Sequence, residues 1–367
     1  MTLIAGVNDH GRRLDRVLRK ALPKCPLPFI HKLLRKKAIL VNGKPATPQT
    51  RIVKGSIIKI PRLSPIKRVN LPNQIDIPIQ QPVQPQPPST PPQALPPQPT
   101  AQPLPQPTPQ PTQTPQPIPQ PPTPQVPPPQ APQPQKAPAP LSVKFFHPPE
   151  VLWQTDGLIA FNKPSGLAVH GPTSLDRMVQ AYLVNKLPPS LSFKPGPLHR
   201  LDKPSSGIVV FSTSLEGANL FSNLMKEQKI KKSYKAIVEG TMNEKHFWTE
   251  YLFRDKEKKK TFVTETDKGK IAITMAVPLA TSIFNGKPYT LIEAEIETGR
   301  THQIRAQSSF HGHPLAQDRK YGGHAFKGGL YLHACKMEFV IDNVTHIIEC
   351  PLPKEFQGVV DSVFGLS

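Results

Sequence analysis

Apolar residues recur at helical spacing near the start of the chain. Leu14, Val17, Leu18 and Leu22 predict one amphipathic helix, closed by Pro23 and Pro26. Ile30, Leu33 and Leu34 predict a second, with His31, Lys32, Arg35, Lys36 and Lys37 on its other faces. Ile39-Leu40-Val41 then runs into Asn42-Gly43, a hairpin signal, because both residues tolerate the positive φ of a tight turn. Lys54-Gly55-Ser56 turns into a last strand, Ile57 to Pro61, so residues 11–62 read as a compact module. A second patterned region starts near Val143. Gly157 to Asn162 reads as a strand running into the turn Lys163-Pro164-Ser165-Gly166, and Leu215 to Gln228 as an amphipathic helix. Ser233 to Gly240 and Tyr289 to Ile296 alternate like half-buried strands. Thr241 to Lys270, rich in Lys and Glu, reads as an exposed insertion or hairpin that touches a polyanion. Strands follow strands without regular helical crossovers. The fold class is therefore α+β: a mixed, largely antiparallel sheet with flanking helices, plus a small N-terminal α/β module.

Between the two regions the pattern disappears. Of the 50 prolines, 29 lie between Leu71 and Pro140, a stretch with no aromatic residue and only Asp76 and Lys136 charged. Such a segment cannot bury apolar surface and is expected to stay extended and disordered. The expected division is 1–70 basic module, 71–142 Pro/Gln linker and 143–367 main domain, the module being carried on a passive tether. A protein with a proline-binding groove is an alternative partner for the linker.

Charge adds a partner. Residues 1–70 hold 17 Lys and Arg against Asp9 and Asp15, a net of +15 out of +21 for the whole chain. A polyanion fits this balance, although a solvated basic surface is the plainer reading. An anionic membrane is disfavoured, because no amphipathic helix has an aromatic face and no stretch approaches the roughly 18 apolar residues of a spanning helix. Met1 to Arg13 lacks the apolar run of a signal peptide. Cys25, Cys335 and Cys350 form no CxxC pair and no metal-ligand spacing, which suits a reducing cytoplasm. No metal and no organic cofactor are expected, and a monomer is.

The chemistry concentrates in two segments. Leu198-His199-Arg200-Leu201-Asp202-Lys203-Pro204-Ser205-Ser206-Gly207 sets one carboxylate beside a cation in a turn-like run. About a hundred residues on stands Gly299-Arg300-Thr301-His302-Gln303-Ile304-Arg305. Asp202 could simply cap its turn, and Tyr234, in an alternating strand, could be an ordinary core aromatic. A retaining glycosidase would need a second carboxylate about 5 Å away, and none stands out near either signature.

Taken in order, these segments resemble the signatures of the RluA-type RNA pseudouridine synthases, and most closely the RluC-like subgroup acting on large-subunit ribosomal RNA. Asn162-Lys163-Pro164-Ser165-Gly166, Tyr234-Lys235-Ala236-Ile237-Val238-Glu239-Gly240, His311-Gly312-His313-Pro314 with Asp318-Arg319-Lys320-Tyr321-Gly322, and Leu332-His333-Ala334 extend the likeness. Residues 11–62 resemble the small αL-type, S-four-like RNA-binding domain. The resemblance implies isomerisation of uridine to pseudouridine through a covalent Asp–nucleoside intermediate. It implies Asp202 as nucleophile, Arg305 as its ion-pair partner and Tyr234 stacked on the base. RNA contacts are implied for His199 and Arg200, and on the module for Arg12, Arg13, Arg16, Lys32, Arg35, Lys36, Lys37, Asn42 and Lys44. Arg200 either fills the gap left by an everted nucleotide or only touches phosphate. A tRNA or dual-specificity enzyme is an alternative, as is a ribosome-assembly RNA-binding protein whose catalytic domain has decayed. Gln317 stands where the family has a Gly before Asp318; a Gly can serve a positive φ, so the geometry of this loop with Gln is left open by the sequence.

Overall fold

The computed structural model describes residues 1–61, 149–265 and 268–366. The expected linker over 71–142 and the boundaries on either side of it lie outside the described residues.

The N-terminal module is built from β1 (Thr2–Ile4), α1 (Leu14–Ala21), α2 (Leu27–Arg35), β2 (Leu40–Val41), β3 (Lys44–Pro45) and β4 (Ile57–Lys59), the strands pairing in the order β1-β4-β2-β3. Leu14, Val17 and Leu18 of α1 and Ile30 and Leu34 of α2 pack on Ile39, Ile52 and Ile58. Burial of each such side chain stabilises by about 1.5–3 kcal/mol, so this apolar stripe holds the module together. The module begins earlier than its periodicity suggests. Leu3 pairs with Ile58, and a three-residue strand is too short to show a period of two.

The main domain follows as β5 (Val151–Thr155), β6 (Leu158–Lys163), α3 (Leu175–Leu183), β7 (Gly196–Pro197), β8 (Ser206–Ser212), α4 (Leu215–Lys226), β9 (Lys231–Glu239), β10 (His246–Asp255), β11 (Lys260–Thr264), β12 (Lys270–Phe284), β13 (Lys287–Ile296), α5 (Gln303–Phe310), β14 (Leu332–Ile341), β15 (Val344–Glu349) and α6 (Lys354–Phe364). Among the described residues these strands form one sheet, ordered β11-β10-β12-β13-β9-β14-β8-β6-β5, with β15 beside β14 and β7 beside β8. Every pairing is antiparallel except β8 with β14. The sheet is thus mixed and largely antiparallel. Central strands read as continuous apolar runs because both faces are covered. On β8, Val209 and Phe211 join Phe161, Val179 and Leu183 on one side, while Ile208 and Val210 join Phe221, Leu224 and Phe339 on the other. Within the segment from Thr241 to Lys270 the expected hairpin forms, as part of the sheet. It contributes β10 and β11, and Trp248 on β10 is buried under α5.

The module does not hang free of the main domain. Residues 1–61 cluster with 149–366 as one compact unit. Buried Asp9 accepts hydrogen bonds from the Ser190 hydroxyl (2.9 Å), the Leu191 N–H (2.9 Å), the Ser192 N–H (3.0 Å) and hydroxyl, and the Gly6 N–H (2.8 Å). Arg12 donates to Ser192 (2.9 Å to the hydroxyl), and the Asn8 side-chain oxygen accepts from the Leu215 N–H at the start of α4 (2.9 Å). Gly6 lies so close to the Pro189 carbonyl that a Cβ would sit 1.9 Å from its oxygen. Burial alone would raise the Asp9 pKa, but the donors from Ser192, Leu191, Gly6 and Ser190 outweigh it and hold it below the ordinary carboxylate value.

Replacing Asp9 with Ala is therefore expected to weaken docking by about 3 kcal/mol, since several buried donors lose their acceptor. Limited proteolysis checks this: the variant should release the module faster, with main-domain fragments still resistant. The pH dependence has a definite sign. A depressed carboxylate stabilises fully above its ordinary value of about 3.9, and that stability is lost as pH falls through the lower native value. Docking should survive titration from pH 7 to about 4 and fail only below it.

Candidate active site

The loop carrying Asp202 is clamped from below by the turn after β6. The Gly166 N–H donates to the Lys203 carbonyl (2.9 Å), and the Ser165 hydroxyl to the Pro204 carbonyl (2.6 Å). Lys163, fully buried, donates from Nζ to the carbonyls of Pro164 (2.9 Å), Leu167 (2.7 Å) and Lys203 (3.3 Å). Burial lowers the Lys163 pKa to about 8, partly offset by the charge of Asp202, so it remains mostly protonated at neutral pH. Gly207 closes the loop at φ +110, and a Cβ there would lie 2.3 Å from the Ala334 carbonyl oxygen. Only glycine lets β8 approach β14 at this point.

Arg305, on the first turns of α5, faces two carboxylates at once. Its Nη1 donates to Asp202 Oδ2 (3.0 Å), while Nε and Nη2 grip Asp318 Oδ2 (2.6 Å) and Oδ1 (2.8 Å). The Asp318 side chain is 2% exposed and the Arg305 side chain 7%, against 15% for Asp202. The Asp318 pair is the anchor, and Asp202 is the end that reaches the cleft. Burial would lower the Arg305 pKa, but the Asp318 hydrogen bonds and charge, with Asp202, raise it above its ordinary value. The guanidinium also lies over the Tyr321 ring, 5.0 Å from its centroid.

Tyr234 on β9 lines the same open cleft of about 380 Å³, with Asp202, Arg200, Ile296, Arg300 and Leu332. Among the described residues its hydroxyl has no hydrogen-bond partner. Burial, then the charge of Asp202, raises its pKa, so it is a neutral phenol.

His302, in a left-handed conformation (φ +57) just before α5, completes the ring around the carboxylate. Its Nδ1 lies 3.3 Å from Arg254 Nη1 and 2.8 Å from the Tyr321 hydroxyl, which itself accepts from the Thr261 N–H (2.8 Å). Arginine can only donate, so Nδ1 is an acceptor. Burial and the cations Arg305, Arg254 and Lys320 push its pKa to about 4 against the pull of Asp202, so the ring is neutral. The proton therefore sits on Nε2, which faces Asp202 Oδ1 at 3.7 Å. The hairpin β10–β11 thus sets the tautomer of a ring aimed at the carboxylate.

A family model described as RNA pseudouridylate synthase matches residues 157–310, and one described as S4 domain matches residues 12–58. The tRNA pseudouridine synthase C of Vibrio vulnificus (strain CMCP6) is 32% identical over 208 residues, 52% of this chain and 84% of that protein. That of Vibrio cholerae serotype O1 is 29% identical over 235 residues, 59% of this chain and 96% of that protein. The ribosomal large subunit pseudouridine synthase C of Pasteurella multocida (strain Pm70) is 30% identical over 227 residues, 58% of this chain and 68% of that protein. The chain belongs to the RluA-type RNA pseudouridine synthases. Asp202, Tyr234 and Arg305 of this synthase lie inside the matched span, and Asp318 and Tyr321 beyond it.

The structure sorts the other sequence-derived residues of the synthase. Arg200 is exposed at the cleft mouth. His199 is tied into the fold. Its Nε2 accepts the Val210 N–H (3.0 Å), its ring stacks on Phe221, and burial lowers its pKa to about 4. A neutral imidazole committed to the sheet has no charge to offer phosphate. Arg12 is likewise committed to Ser192, at the junction of module and main domain, and Arg13 is paired with Asp15 (2.7 Å). Asn42, at φ +50, uses its side-chain oxygen to accept the Ile57 N–H (2.8 Å). Arg16, Lys32, Arg35, Lys36, Lys37 and Lys44 remain exposed on the module. Gln317 adopts φ +67, and its side chain accepts the Phe326 N–H (2.7 Å), which helps offset the cost of a left-handed non-glycine residue.

Proposed function

We propose that Asp202 is the nucleophile, Arg305 its fixed counter-ion and Tyr234 the platform for the target uracil, on uridines of large-subunit ribosomal RNA. The observation that carries this is the Asp202 carboxylate held at the cleft by one Arg305 nitrogen while the other two grip Asp318. A carboxylate so placed is aligned beside a fixed cation without being consumed by a closed salt bridge. One of its oxygens bonds to ribose C1′ as the C1′–N1 bond breaks, and the electron pair leaves on the uracil. The base turns against Tyr234 and C5 bonds to C1′, returning the electrons to the carboxylate. C5 then loses its proton and N1 gains one, so the product is an isomer.

Support for ribosomal RNA comes from the N-terminal module: residues 12–58 match an S4 domain, and the first 70 residues carry a net charge of +15, which suits a large structured RNA. The free thiols Cys25, Cys335 and Cys350 support a reducing, cytoplasmic location. Mapping pseudouridines in total RNA from cells with and without the gene tests the substrate. Loss of sites in large-subunit ribosomal RNA is expected, and loss confined to tRNA would overturn that half of the proposal.

Tyr234→Phe separates stacking from hydroxyl chemistry. Affinity for RNA should be retained, because the ring is unchanged, while turnover falls by about 10²-fold, the lower range for a lost acid–base contribution. Single-turnover tritium release from RNA labelled at uracil C5 reads the chemistry, and filter binding reads the affinity.

A further inference from the structure

A second, open pocket adjoins the catalytic cleft and shares Arg300 with it. Arg254, Lys268, Lys270 and Arg300 line it, Phe253 forms part of its wall, and among the described residues no carboxylate does. Two of the four cations are held in place by bonds that leave donors free. Arg254 gives only Nη1 to Thr261 Oγ1 (3.4 Å) and His302 Nδ1 (3.3 Å). Arg300 gives only Nε to the Ile271 carbonyl (2.8 Å). Among the described residues Lys268 and Lys270 have no partner. Fixed guanidinium forks without a counter-ion suit phosphate oxygens better than any neutral ligand.

The wall of this cavity opens onto an aromatic surface. Phe253 is 48% exposed, and its direct cross-strand partner Phe262 is 37% exposed. Tyr251, on the same face of β10, is also exposed, and the ammonium groups of Lys258 and Lys260 lie 5.9 and 5.4 Å from the Phe262 ring centroid. Exposed rings interleaved with lysines form the surface on which unpaired bases stack while phosphates are neutralised. An acidic protein segment would satisfy the cations but leave the rings without a planar partner.

We infer that the cavity lined by Arg254, Lys268, Lys270 and Arg300 is a nucleotide subsite, which takes backbone phosphates next to the target uridine and stacks a neighbouring unpaired base on Phe253. The inference rests on the proposed reading of the cleft as the uridine site. Its geometry also ties the subsite to the chemistry: Arg254 sets the tautomer of His302, which faces Asp202. Single-stranded RNA then runs from the cleft past Arg300 onto the β10–β11 hairpin.

The test uses the full chain and a fluorescein-labelled twelve-residue oligouridylate. Lys268→Gln with Lys270→Gln should weaken binding about tenfold at low salt. The slope of log affinity against log salt should become shallower by about 1.4, at about 0.7 per phosphate on a single strand. Lys226→Gln with Lys354→Gln, which removes the same charge from exposed helical positions elsewhere, should change neither. Phe253→Leu should weaken the oligouridylate about fivefold and leave a duplex of equal length unaffected. Equal slopes for the two double variants would overturn the phosphate assignment, and equal losses on single strand and duplex would overturn the stacking. These readouts are binding equilibria. If the cleft reading alone fails, the binding differences persist while tritium release is absent in the wild type; if the subsite alone fails, the reverse is seen.

Discussion

Asp202→Asn abolishes isomerisation, by at least about 10⁴-fold, and leaves RNA affinity nearly unchanged. The substitution keeps the shape of the side chain and an oxygen that can still accept from Arg305 Nη1, which lies 3.0 Å from Asp202 Oδ2. What it removes is the charged oxygen able to bond to C1′. An amide is a poor nucleophile, and no second carboxylate can replace it. Asp318, brought to the same guanidinium, has both oxygens engaged and is 2% exposed. Stability should change little, because Asp318 still neutralises Arg305 and Lys163 keeps its three carbonyl partners. Single-turnover tritium release at saturating enzyme measures the chemistry, and unchanged filter binding with a retained melting temperature shows that the fold survives. Residual conversion at one hundredth of the wild-type rate would falsify the assignment of Asp202 as nucleophile.

The parts of this site differ in how far they could be read from the chain. Local pattern determines the helices. Leu14, Val17 and Leu18 repeat at the period of α1, and Leu215 to Gln228 anticipates α4 to within two residues at its end. The two signature segments identify Asp202 and Arg305, 103 residues apart, because their neighbours follow a family order. Nothing local says what else reaches them. Asp318 anchors Arg305 only because the loop after α5 returns beneath it, and Lys163 reaches the Lys203 carbonyl only because β6 and β8 are neighbours. The parallel pairing of β8 with β14, likewise, is set by tertiary order and not by any period.

His199 shows the opposite situation. Its place beside Arg200 and Asp202 suggests a shared role. Yet within three residues the chain passes from Phe221 on one face of the sheet, where His199 stacks, to the cluster on the other face, where Leu201 packs with Tyr234. The chain bends at Leu198–His199, so nearness in sequence does not keep these side chains on one side of the sheet. The anchoring of the module was hidden for a related reason. Asp9 reads as one of two acids in a basic stretch, and its four partners, Gly6, Ser190, Leu191 and Ser192, are mostly some 180 residues away.

Arg305→Lys tests whether the site needs a fork or merely a positive charge. The guanidinium makes three hydrogen bonds in one plane, two to Asp318 and one to Asp202. A lysine offers a single ammonium on a flexible stem, and one nitrogen cannot occupy the Nε, Nη1 and Nη2 positions together. If it stays with Asp318, Asp202 loses its fixed donor. If it moves to Asp202, buried Asp318 is left without a partner. The second arrangement costs about 3 kcal/mol, the lower range for breaking a buried ion pair, so the first should dominate. The enzyme should lose about 10²- to 10³-fold in single-turnover rate, comparable to loss of one preorganised electrostatic contact. The melting temperature should fall by about 2–4 °C, because the dominant arrangement keeps Asp318 paired and loses one of its two hydrogen bonds, about 1 kcal/mol, at about 2–4 °C per kcal/mol for a domain of this size. Measuring both separates the roles. Adding Asp318→Asn to Arg305→Lys should recover part of the stability, because the buried carboxylate no longer needs a bidentate partner, while the rate stays low. Recovery of the rate together with stability would mean that Arg305 acts only by holding the fold, and near-normal rates for Arg305→Lys alone would remove its pairing with Asp202 from the mechanism.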